Sequence, residues 1–146
     1  MYKDILLPVD ITDENSWKSA LQVVVEYMEA FGSNLHVLYV VSDYGMSIVA
    51  QYFPKSSLDE LISKANEDLH EFVNKHIPEK VRSNVQHIIG KGAVYDCIID
   101  TSERINADII VMPAHRPELR DYLLGPNSAK VVRHSNISVL VVRDKK

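Results

Sequence analysis

The chain has 146 residues, 46% of them hydrophobic and 25% charged, which is the length and balance of one globular domain (residues 1–146) and not of a disordered segment. A formal charge of −4, with basic residues gathered only at Arg143, Lys145 and Lys146, argues against nucleic acid or an anionic membrane as the main partner. Cys97 is the single cysteine, which excludes an intramolecular disulfide and a multi-cysteine metal site, and no apolar stretch has the length of a membrane span or a signal-peptide core, so a cytoplasmic address is the default expectation.

Residues 5–9 form an apolar run too short for a helix, which suits a central parallel strand; Pro8 fits near its carboxyl end, and Asp10 follows just past it. Trp17, Ala20, Leu21, Val24, Met28 and Phe31 share one helical face, with Asp13 and Glu14 ahead of them and Gly32 behind. Residues 35–41 read as a second strand. Residues 44–55, from Tyr44 to Lys55, show no clean period and are expected to be an irregular loop or a short helical excursion, a candidate part of a lid. Ser57 and Glu60 then have capping-box spacing ahead of a helix that carries Leu58, Leu61, Ile62, Ala65, Leu69, Phe72 and Val73 and stops at Pro78. Residues 84–89 are predicted to be a third strand, followed by Gly90-Lys91-Gly92 and a helix with Val94, Ile98, Thr101 and Ile105 on one face. Residues 108–112, 128–134 and 137–142 complete the series as strand, short helix and strand. Cys97, on the third helix, reads as a small apolar filler.

Strands alternating with helical crossovers, several of them apolar on both faces, predict an α/β fold: an open five-stranded parallel sheet with helices on both faces. A doubly wound sheet allows the order 3-2-1-4-5, in which the winding reverses between strands one and four, and ligands of such sheets bind beyond the carboxyl ends at that reversal. The residues expected there are Asp10 and the run Met112, Pro113, Ala114, His115.

Each candidate has a ligand reading and a structural one. Asp10 suits an acceptor for a ribose hydroxyl or an adenine amino group, and equally a helix cap. Leu124-Gly125-Pro126-Asn127-Ser128 opens the short helix, where free N–H groups and the helix dipole suit phosphate, or where a plain turn with an Asn or Ser cap suffices. His115, Arg116 and Arg120 lie in a polar loop, and the arginines suit phosphate oxygens or surface carboxylates. The remaining histidines form no recognisable metal set. Neither a Gly-x-Ser-x-Gly elbow nor a P-loop lysine is present, so the residues give no support for catalysis.

Residues 5–10 (Ile-Leu-Leu-Pro-Val-Asp), Gly90-Lys91-Gly92, residues 107–112, Leu124-Gly125, residues 131–134 and residues 139–143 together resemble the universal stress protein family over nearly the whole chain. The resemblance implies a Rossmann-like fold of the adenine nucleotide alpha hydrolase type, a bound ATP or AMP, with Mg2+ as an optional companion and no redox cofactor, and a stress or energy-state signalling role without enzymatic activity. It also implies a homodimer joined through the last strand, residues 139–142 (Val139, Leu140, Val141, Val142). By the same resemblance Asp10 and Val40 address adenine and ribose, and Met112 and Pro113 line the ribose. Gly125, Asn127 and Ser128 face phosphate, and Pro8, His115 and Arg116 complete the expected binding set.

ATP-binding members carry a glycine, two residues, a second glycine, a spacer, and a third glycine followed by Ser or Thr. Here Pro113 and Arg116 occupy the first two glycine positions, Gly125 keeps the third, and Pro126 follows it without an N–H to offer. The loop from His115 through Gly125 and Asn127 instead resembles the enterobacterial F-type subgroup, which binds adenine nucleotides through a variant of this loop. Two other readings remain: a dimeric scaffold that has lost nucleotide binding, and a slow ATP hydrolase.

Overall fold

The computed structural model describes residues 2–42, 55–114 and 126–143. In chain order these form β1 (Asp4–Val9), a 3-10 turn (Glu14–Ser16), α1 (Lys18–Phe31), β2 (Asn34–Ser42), α2 (Lys55–His76) and a second 3-10 turn (Glu79–Asn84). The rest are β3 (Val85–Gly92), α3 (Val94–Arg104), β4 (Ile109–Pro113), α4 (Pro126–His134) and β5 (Ser138–Val142). All strand pairings are parallel and the order is β3-β2-β1-β4-β5, the doubly wound arrangement expected from the sequence. The expected loop at 44–55 lies outside the described residues except for Lys55, which opens α2.

Because successive side chains of a strand point to opposite faces, the apolar runs feed two cores. Ile5, Leu7, Val37 and Val111 pack with Val24 and Phe72 under α1 and α2. Leu6, Leu38, Ile110 and Met112 pack with Ile98 and Val131 under α3 and α4. Leu6, Leu7, Leu35 and Leu38 are fully buried, and each such side chain stabilises the fold by about 2 kcal/mol. Helices thus cover both faces, and among the described residues no helix is long and apolar enough to cross a membrane.

Three local differences from the sequence expectation have physical causes. Ser57 lies inside α2, two residues past its start at Lys55, so it is not the capping residue its spacing suggests. Phe31 is 64% exposed although it is in phase with the buried face of α1; it is the last residue of the helix, before Gly32 turns the chain at φ 68°, and it meets Tyr27 instead at 4.6 Å between ring centroids. β3 extends through Gly90, Lys91 and Gly92, because Val40, Val41 and Ser42 continue to pair with them. Cys97 is half-buried against the second core, with its thiol donating to the Lys91 carbonyl at 3.0 Å.

Candidate functional site

The site begins with one missing donor. The Asp4 carbonyl accepts from Asp108 N–H at 2.8 Å, which turns the backbone of Asp4, and in alternation that of Leu6 and Pro8, toward β4. The Lys3 carbonyl accepts from Asn34 N–H at 2.8 Å, which turns Ile5, Leu7 and Val9 toward β2. The β1–β4 ladder pairs Ile5 with Ile109 and Leu6 with Ile110 and then ends. The next residue turned toward β4 is Pro8, which has no N–H. Pairing with β2 needs nothing from that nitrogen and runs on to Val9 and Tyr39, while β4 stays with β5 as far as Pro113 and Val142. β1 and β4 therefore part company where the winding reverses, the place at which open α/β sheets receive ligands.

Asp10 stands at the mouth of this gap and is exposed. It is not a helix cap: Asp13 caps the 3-10 turn through the Asn15 N–H at 3.1 Å, and the N-cap residue of α1 is Trp17, which makes no side-chain cap bond. Asp10 Oδ1 accepts two bonds from Thr12, from its N–H at 3.0 Å and from its hydroxyl at 2.6 Å. The Ser16 hydroxyl donates to the Asp10 carbonyl at 2.9 Å and accepts from the Asp10 N–H at 3.0 Å. Among the described residues Asp10 Oδ2 has no partner.

Around it, Val40 lies one step past the Val9–Tyr39 pair, half-buried against the core under α3 and α4. Met112 is 4% exposed, so its side chain belongs to that core. Pro8 is buried and Pro113 half-buried. The Ser128 hydroxyl donates to the Pro113 carbonyl at 2.8 Å, which ties the first turn of α4 to the end of β4, and Ser128 is itself buried. Asn127 is exposed in the same turn. Pro8, Met112 and Pro113 thus lie toward the carboxyl ends of β1 and β4, Asp10 just past β1, Val40 two residues before the end of β2, and Asn127 and Ser128 in the first turn of α4. His115, Arg116 and Gly125 lie outside the described residues.

Sequence reasoning missed Thr12, Ser16 and Tyr39. The first two carried a signal, hydroxyls at two and six residues past an acid that follows a strand. Tyr39 looks like a core residue in the sequence, yet its phenol pKa is raised, by burial first and then by the carboxylates of Asp10 and Asp68. Among the described residues no group of three or more His, Cys, Asp or Glu side chains is placed to hold a metal ion.

The model of the Universal stress protein family matches residues 1–143. Universal stress protein G of Escherichia coli O157:H7 is 27% identical over 147 residues, covering 98% of this chain and 100% of its own. Universal stress protein MJ0577 of Methanocaldococcus jannaschii is 26% identical over 165 residues, covering 99% and 97%. The solved MJ0577 structure superposes with a TM-score of 0.72 at 25% identity over 100% of this chain and 99% of that one. A universal stress protein family protein from Arabidopsis thaliana, solved with AMP bound, has a TM-score of 0.65 at 19% identity, covering 98% and 92%, and shows the likeness of fold.

Proposed function

This chain belongs to the universal stress protein family, and we propose that it binds an adenine nucleotide, ATP or AMP, in the gap between β1 and β4 and serves as a non-enzymatic stress or energy-state signalling module. The observation that carries the reading is Asp10: it lies at the winding reversal, is free of any capping duty, and holds one carboxylate oxygen open. That oxygen accepts from a ribose hydroxyl or from the adenine amino group. Val40 flanks the base, Pro8 and Pro113 frame the ribose, and the N–H groups of Asn127 and Ser128 in the first turn of α4 serve the phosphates, together with Gly125, His115 and Arg116. Mg2+ would be an optional companion of a bound triphosphate. The AMP held by the Arabidopsis family member is consistent with this ligand class.

A second reading, a dimeric scaffold without nucleotide, draws on α4 itself. Pro126 offers no N–H, and the Ser128 hydroxyl proton is engaged by Pro113. The two readings are separated by purifying the protein without added ligand, denaturing it and identifying released nucleotide by mass spectrometry. Adenine nucleotide in the supernatant, or a rise in melting temperature with millimolar ATP or AMP, is the expected result. Neither carried nucleotide nor a thermal shift sinks the nucleotide reading.

A further inference from the structure

We infer that Thr12 and Ser16 are positioning residues that fix Asp10 with a single carboxylate oxygen, Oδ2, presented to the ligand's hydrogen-bond donor. This rests on the reading of the β1–β4 gap as the nucleotide site. A carboxylate on a loop just past a strand ordinarily rotates between two equivalent orientations, and a ligand that needs one of them must freeze it on binding. Thr12 removes that freedom. Its hydroxyl meets Asp10 Oδ1 at 2.6 Å, the short distance of a bond to a charged acceptor, and its N–H reaches the same oxygen at 3.0 Å. Both bonds fall on one oxygen, so the two oxygens are no longer equivalent.

Ser16 acts on the main chain of the same residue. Its hydroxyl is donor to the Asp10 carbonyl and acceptor from the Asp10 N–H, and the Asp13 N–H adds a bond to that carbonyl at 3.0 Å. The backbone beneath the carboxylate is therefore closed into the Asp10–Ser16 loop. Neither hydroxyl touches the ligand in this arrangement; each acts through Asp10. If the bonds served only to knit the loop, their loss would lower stability and leave the choice of ligand untouched.

Thr12→Val removes the hydroxyl, keeps the N–H and keeps the side-chain shape, and Thr12→Ser restores the hydroxyl. By titration calorimetry with ATP, Thr12→Val is expected to bind about five- to tenfold more weakly than wild type and Thr12→Ser within about twofold of it, with Asp10→Asn weaker than either variant. Ser16→Ala, a second route to the same carboxylate, is expected to weaken binding about threefold or more. The ligand arm uses ITP, 2′-deoxy-ATP and 3′-deoxy-ATP. For the analogue lacking the donor that meets Oδ2, the affinities of wild type, Thr12→Val and Asp10→Asn are expected to converge, which a purely structural role does not produce. Wild type that binds none of these ligands overturns the nucleotide reading and this inference with it. Wild type that binds ATP while Thr12→Val binds equally well, or while Asp10→Asn binds equally well, overturns the inference and leaves nucleotide binding standing.

Discussion

The Ser128 hydroxyl has one proton, and it is spent on the Pro113 carbonyl, with Ser128 itself only 6% exposed. Ser128→Ala leaves that carbonyl without its donor and is expected to lower the free energy of unfolding by about 1–3 kcal/mol, measured by urea denaturation, with ATP affinity changed less than about twofold. A large loss of affinity at unchanged stability would assign the hydroxyl to phosphate instead. Asp10 was legible in the sequence because a lone acid directly after an apolar run is conspicuous. Its two hydroxyl partners were not, since Thr12 and Ser16 sit in a polar stretch where many pairings are open until the loop closes. Pro8 was legible as a strand-end residue but not as the residue that parts β1 from β4. Which neighbour its missing N–H faces depends on the alternation fixed by the Asp4–Asp108 and Lys3–Asn34 bonds.

At the level of elements, close approach and protonation set the limits on packing. A Cβ added at Gly90 would stand 3.2 Å from both Cys97 Sγ and Leu38 Cδ1, so α3 lies close enough to β3 that these side chains would have to give by a few tenths of an ångström. Gly90→Ala is expected to cost about 1–3 kcal/mol by thermal or urea unfolding, and adding Cys97→Ala to recover part of that loss. α2 also makes two ring contacts through its histidines. His87 on β3 stacks on His70 of α2 with centroids 3.9 Å apart, and its pKa is lowered by burial first and by the His70 charge second. His76, at the end of α2, meets Trp17 at 4.5 Å, and its pKa is lowered by burial and by Lys75 against an opposing pull from Glu14. Both groups stay neutral in the fold more readily than in the unfolded chain, whose histidines take up protons at a pH of about 6.5. The unfolded state therefore gains protons first as pH falls. The contribution of these two groups to stability is full above about 6.5 and declines below it, toward the lowered folded-state values. Urea midpoints taken at about pH 7.5 and pH 5.5 should fall with acid in wild type and fall less in His87→Gln, and a midpoint flat across that range would contradict this account. These contacts were invisible in the sequence, because His87 and Trp17 lie on other elements than His70 and His76 of α2. The elements themselves were legible, because apolar runs and 3.6-residue spacing depend only on neighbours along the chain. The misread start of α2 at Ser57 and the exposure of Phe31 depend instead on where a helix begins and ends against the sheet.

For the whole molecule, the sheet order leaves β5 with one edge unpaired among the described residues, and the face of β5 beside α1 is partly exposed. Leu140 is 39% exposed, and it borders an apolar recess of about 410 Å³ lined by Tyr2, Val23, Tyr27 and Val139 among others. The strand reads Ser-Val-Leu-Val-Val, with no charge or proline within it to discourage pairing with another chain. A second copy placed about a twofold axis along this edge would supply backbone partners to both strands at once, the self-complementary contact by which a homodimer would form. Sedimentation equilibrium of the wild type is accordingly expected to give twice the chain mass of 16.6 kDa. Leu140→Glu places a charge at the centre of that contact without disturbing the fully buried core, so it should shift the protein to monomer while leaving the unfolding transition cooperative. Should Leu140→Glu sediment as wild type does, β5 is not the joint. Should wild type itself run as a monomer at micromolar concentration, the uncovered face has to be accounted for by another partner or by the chain outside the described residues.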